Sequence, residues 1–181
     1  MTHADTNPIP ATPPAAAPAA FTTEAPLPDA PSVILLVDDN EQNVELLQAY
    51  LEALPCTTLT AYDGEQAMQI IQDPDQPKPD LILLDVMMPR MSGFEVCRKL
   101  KEDPRFRAIP VMMVTALNEL ADIERGVESG TDEFLTKPVN KLELLTRCRS
   151  LLRVRHLKKE LERAEAYNRE LGRNASGDRD A

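Results

Sequence analysis

Five short apolar stretches, each followed by a segment of helical pattern, constrain this chain more than any other feature. They are "SVILLV" (32–37), "CTTLTAY" (56–62), "LILLD" (81–85), "PVMMVTA" (110–116) and "DEFLT" (132–136). The first and third are apolar at nearly every position, not at every second one. A strand of that kind is buried on both faces, as happens inside a parallel sheet. Between the strands, "EQNVELLQAYLEAL" (41–54) sets Val44, Leu47 and Leu51 on one helical face. "GEQAMQIIQD" (64–73), "GFEVCRKLKED" (93–103) and "ELADIERGVESG" (119–130) also read as helices, and a last helix starts near Asn140. The prolines of "DPDQPKPD" (73–80) suit neither regular structure and predict a loop. Strict strand–helix alternation predicts an α/β fold, a doubly wound parallel sheet with an extended C-terminal helix.

In such sheets ligands bind beyond the carboxyl ends of the strands. The polar residues that end the apolar runs gather at that end. Asp38 and Asp39 follow the first strand, Asp85 the third, Thr115 the fourth and Lys137 the fifth. Three acids, a hydroxyl and an ammonium are therefore expected on one sheet edge. Clustered carboxylates raise one another's pKa unless something compensates. A hard divalent cation such as Mg²⁺ is the natural compensation, because it takes one or two carboxylates and binds phosphate. Lys137 neutralises a further charge and Thr115 donates a hydrogen bond. The set suits a phosphoryl group, with Asp85 as the nucleophile that forms an acyl phosphate. The plainer reading makes these acids helix caps or solvated strand ends, and Asp38–Asn40 before a helix suits a cap.

Composition narrows the partners. The net charge of −10 argues against general nucleic-acid affinity, which rests on cationic contacts to phosphates. Cys56, Cys97 and Cys148 are far apart and unpatterned, which reads as reduced thiols in a cytoplasmic protein. No apolar run approaches a membrane span, and the N-terminus lacks a secretory signal pattern. Residues 1–31, rich in Ala and Pro, have too little apolar bulk to offset the entropy of ordering and read as a disordered leader.

"LLVDDNEQN", "PDLILLDVMMPRMSGFEVCRKLK", "IPVMMVTAL" and "GTDEFLTKPVN" resemble the receiver domain of bacterial two-component response regulators. The likeness is strongest to receivers that precede diguanylate cyclase or HD-GYP output domains, and it covers residues 32–152. It implies a flavodoxin-like sheet of order 2-1-3-4-5. It implies that Asp85 accepts phosphate from a histidine kinase or phosphotransfer protein, and that the domain catalyses only its own phosphorylation and dephosphorylation. Asp39, Asp85 and the main-chain carbonyl of Met87 would bind Mg²⁺ directly, with Asp38 acting mainly through water. Lys137 would pair with the phosphate, and its bond to Pro138 would be cis. Thr115 and Phe134 would form the switch pair. Apolar Met87 and Leu117, two residues after Asp85 and Thr115, offer no polar group to orient an attacking water. Slow loss of the phosphate is therefore expected.

Rival chemistries fit less well. A haloacid-dehalogenase-type phosphatase needs a second Asp where Met87 stands, and "DDNEQN" would repel a flavin phosphate. No Gly-rich nucleotide fingerprint occurs.

From Asn140 to Leu171 the chain has no Gly or Pro and can run as one helix. Val154, Leu157, Leu161, Ala164, Asn168 and Leu171 fall on heptad a and d positions, so 153–171 reads as a helical extension and a candidate coiled coil. A parallel pair would set Arg153 against Lys158 and Glu160 against Glu165, whereas an antiparallel pair brings Lys158 near Glu165. The acidic helix 119–130 and the basic segment Arg147–Lys159 also suit a homodimer through residues 119–171. A solvated signalling helix is the alternative. Residues 172–181 read as a polar tail. A receiver that signals through a docked protein, a fragment of a longer regulator, and an unphosphorylated scaffold all remain open.

Overall fold

The computed structural model describes residues 31–116 and 120–177, with side chains omitted for 117–123 and beyond Glu170. The expectations for the leader, for Leu117 and for the side chain of Leu171 lie outside the described residues. Ten elements alternate without exception: β1 (Ser32–Val37), α1 (Glu41–Leu51), β2 (Cys56–Ala61), α2 (Gly64–Gln72), β3 (Leu81–Leu84), α3 (Gly93–Glu102), β4 (Val111–Thr115), α4 (Leu120–Ser129), β5 (Glu133–Thr136) and α5 (Lys141–Gly177). The five strands pair in parallel in the order β2-β1-β3-β4-β5.

The continuous apolar strands are explained by two cores, one on each face. Leu35, Val37, Ile82, Leu84, Val111 and Met113 point to the side of α2 and α3, where Ala67, Ile71, Val96 and Leu100 meet them. Ile34, Leu36, Leu81, Leu83, Met112 and Val114 point the other way, onto Val44, Leu47 and Leu51 of α1 and Leu144, Cys148 and Leu152 of α5. Side chains alternate faces along a strand, so only a strand apolar at every position serves both layers. The central strands β3 and β4 are buried throughout, while β5 at the edge is half-buried.

The helices begin where the sequence supplies a cap. The Asn40 side chain accepts from the Gln42 amide, Asp63 from Gln66, and Ser92 forms a reciprocal capping box with Glu95. At the opposite edge of the sheet the start of β3 holds a buried acid, Asp80. Its side chain accepts from the Val33 amide at 3.0 Å and pairs with Lys159 of α5, while Ser32 Oγ meets His156 Nε2 at 2.9 Å. α5 is thus tied to the domain as far as Lys159, and beyond it residues 160–170 are exposed. The helix itself runs to Gly177, past Leu171 where the sequence reads as turning into a tail. Gly172 weakens a helix by only about 1 kcal/mol and no proline follows to force a stop. Among the described residues no helix is long and apolar enough to cross a membrane.

One glycine is required by close packing. A Cβ at Gly93 would stand 2.2 Å from the Asp85 carbonyl oxygen and 3.0 Å from Val86 Cα, both backbone atoms that cannot swing aside. Gly93→Ala is expected to destabilise the domain by about 2 kcal/mol or more, read from the denaturation midpoint in urea.

Candidate functional site

The sheet ladder delivers the predicted side chains to one edge. The Asp38 amide donates to the Ala61 carbonyl, Asp85 to Val37 and Lys137 to Thr115. Each residue just past a strand is therefore held by the neighbouring strand. Asp38, Asp39 and Asp85 each offer a carboxylate oxygen, and the three atoms lie within 4.8 Å of one another. Lys137 reaches from the end of β5 to both buried acids, with its Nζ 2.7 Å from Asp38 Oδ2 and 2.8 Å from Asp85 Oδ1. Thr115 is buried at the end of β4, beside this edge.

The three acids stand in different surroundings. Asp38 is buried and accepts from the Asn40 amide, from the Asn43 side-chain NH₂ on both carboxylate oxygens, and from Lys137. Asp39 is exposed. Asp85 is buried, accepts the Met87 amide on Oδ2 at 3.0 Å and Lys137 on Oδ1. The cap reading holds one residue later than the acids: Asn40 caps α1, which leaves Asp38 and Asp39 to the cluster. The donor set is all oxygen and all anionic, which fits a hard divalent cation.

Burial raises the Asp85 pKa above the ordinary carboxylate value. The hydrogen bond and charge of Lys137 pull it back only in part, and Asp38 adds repulsion. Burial by itself would depress the Lys137 ammonium, but its hydrogen bonds and attraction to Asp38 and Asp85 outweigh that and hold its pKa above the usual lysine value.

Phe134 is half-buried against the core on the α2–α3 side. Its ring lies on Gly126 of α4 so closely that a Cβ there would come within 2.1 Å of Cζ. Met87 projects into solvent, 64% exposed. Sequence reasoning passed over two contacts. Asn43 steadies Asp38 from the first turns of α1, and its signal is the spacing of an amide five residues after the acid. Arg90, at φ +67°, pairs with Asp63, the cap of α2, and so ties the loop after β3 to the end of β2. Nothing in the local pattern marks that pair. An open apolar groove of about 250 Å³ lies between α1 and the β5–α5 turn, where Leu46, Tyr50, Pro138 and Val139 meet Lys137.

The sequence profile of the response regulator receiver domain matches residues 34–149, a stretch that holds every residue of the cluster. This chain belongs to the response-regulator receiver family. The response regulator PleD of Caulobacter vibrioides is 49% identical to it over 139 residues, or 77% of this chain and 30% of PleD. The receiver domain of a signal transduction histidine kinase from Syntrophus aciditrophicus superposes with a TM-score of 0.62 at 36% identity, covering 67% of this chain and 89% of that one. The Mn²⁺-bound form of response regulator Rcp1 matches with a TM-score of 0.59 at 31% identity, covering 67% and 91%. The chain spans 30% of the length of PleD and 48% of that of the Bacillus subtilis regulator PhoP. It carries the acidic and lysine cluster typical of phosphoaccepting receivers, and that cluster is of the kind that binds a divalent cation. A receiver's catalysis, where it has any, is confined to its own phosphorylation and dephosphorylation.

Because the native state raises the Asp85 pKa, the stability owed to this group is fully present below the ordinary carboxylate value and is lost as pH rises through the raised one. At neutral pH its charge weighs against folding. Asp85→Asn keeps the shape and removes the charge, so the metal-free receiver should melt higher at pH 7, with the advantage vanishing near pH 3. Calorimetry in chelator at both pH values checks this.

Proposed function

We propose that this receiver accepts a phosphoryl group on Asp85 from the phosphohistidine of a kinase or phosphotransfer protein, with Mg²⁺, and signals by altered protein–protein association. The observation that carries the reading is the bridge from Lys137 to Asp38 and Asp85 beside the exposed Asp39. Asp85 attacks phosphorus through a carboxylate oxygen. The P–N bond to the donor imidazole breaks, its electron pair stays on the ring nitrogen, and that nitrogen then takes a proton. Asp39, Asp85 and the Met87 carbonyl would hold Mg²⁺, which supplies positive charge against the phosphoryl oxygens. Asp38 already accepts from Asn40, Asn43 and Lys137, which favours a role for it through water. Lys137 would leave Asp85 for a phosphoryl oxygen, and Thr115 would move toward it with Phe134 following. Gly126 keeps room for the Phe134 ring on α4.

The groove beside Lys137 suits the phosphodonor's docking, since its apolar lining opens onto the reacting edge. The body is assigned to residues 32–152, with a leader at 1–31 and a helical extension from 153 that α5 carries through to Gly177. Residues 119–171 are assigned to self-association, and the protein to the cytoplasm, where its free cysteines stay reduced.

Intact mass after treatment with a small phosphodonor tests the chemistry. One phosphoryl adduct should form with Mg²⁺, fail to form in chelator, and be absent in Asp85→Asn. Wild-type protein that folds but takes no adduct would sink the proposal. The exposed Met87 offers no polar group beside Asp85, so the adduct should persist for minutes or longer, and Met87→Asn should shorten its life severalfold. A time course of the adduct mass reads both.

A further inference from the structure

Outside the phosphoryl site, exposed apolar side chains line up along the far end of α5. Val154, Leu157 and Leu161 are 50%, 59% and 60% exposed, and Ala164 and Asn168 continue the same line. At about 100° per residue, Cys148, Leu152 and Lys159 form the face of α5 turned to its own domain. Val154, Leu157 and Leu161 lie about 150° around the helix from that face. The stripe therefore points away from the domain, including over the turns that are still docked. A second helix can lie along it without meeting the first domain.

Spacings of three and four residues make this stripe a coiled-coil seam, and the charges beside it choose the direction of a partner helix. In a parallel pair of identical chains, Arg153 faces Lys158 of the second copy and Glu160 faces Glu165 of the second copy. Each contact occurs twice by symmetry, and because Arg153 is half-buried and already engaged in its own chain, the exposed Glu160–Glu165 pairs carry most of the penalty. In an antiparallel pair, Leu161 packs on Ala164 of the second copy and Leu157 lies opposite Asn168 of the second copy. Lys158 then flanks Glu165 of the second copy, again twice, and Glu160 flanks Tyr167 of the second copy. Every like-charge contact is gone and two opposite-charge contacts replace them. The bond of Glu165 within its own chain, to Arg169 at 3.9 Å, is long and exposed and competes little. Asn168 sits near the end of the overlap, where its amide stays in water.

We infer that α5 pairs with α5 of a second copy of this chain as an antiparallel coiled coil, placing the two receiver domains at opposite ends of the shared helices. The inference rests on the proposal that residues 119–171 carry self-association, and it specifies the geometry. It needs no phosphate.

Sedimentation velocity of the full chain at low salt and sub-millimolar concentration, without phosphodonor, tests it. The wild type should dimerise. Lys158→Glu and Glu165→Lys should each weaken the dimer about tenfold, since each turns two attractions into repulsions. The double swap should restore it. The two single changes move net charge in opposite directions, so general repulsion cannot imitate the pattern. Leu161→Glu should give a monomer that melts like the wild type at dilutions where the wild type is also monomeric, because its side chain is exposed in the single chain. A wild-type monomer overturns both the inference and the self-association it rests on. A dimer that the single swaps tighten or leave alone, or that Leu161→Glu does not disturb, overturns the antiparallel pairing and leaves self-association standing.

Discussion

The ammonium of Lys137 is what allows this sheet edge to exist. Three carboxylates whose oxygens lie within 4.8 Å of one another are held against a single cation that touches the two buried ones. Three negative charges and one positive leave two uncompensated. Burial makes the deficit felt at Asp85, whose pKa stays raised in spite of Lys137. A site in that condition gains from a divalent cation and from any change that lets Lys137 follow a new anion. The stored repulsion and the chemistry are the same feature.

β3 carries this tension through the middle of the domain. Asp85 follows its last residue and Asp80 precedes its first, and both acids are buried. Each is matched by a lysine from later in the chain, Lys137 at one edge and Lys159 at the other. Between them four fully buried residues pack both cores. The strand that presents Asp85 is also the strand to which the outgoing helix is anchored.

Much of this was legible in the sequence because strand burial leaves a strong mark. The runs at 33–37 and 81–84 could only be central parallel strands, and the residues ending the strands had to share an edge. That Asp38, Asp39, Asp85, Thr115 and Lys137 come together was readable for that reason. The pairing of Arg90 with Asp63 was less so, because it depends on a loop whose path local pattern does not encode. The reach of Lys159 to Asp80 joins residues 79 positions apart, and no spacing rule announces it. The basic segment Arg147–Lys159 looks in sequence like a free cationic face. In the fold Arg147 pairs with Glu133 and Glu143 of its own chain, and Lys159 is spent on Asp80.

The sequence by itself determined the alternation of elements, the doubly covered sheet and the collection of acids and lysine at one edge. Those follow from apolar periodicity and from the requirement that buried strands end where polar groups reach water. Tertiary structure alone decided how the charges are shared. It buries Asp38 and Asp85 under one ammonium while Asp39 stays in solvent, and it turns the two stripes of α5 to opposite sides. Such choices depend on distances between residues far apart in the chain, and charge interactions in a partly buried site change steeply with those distances.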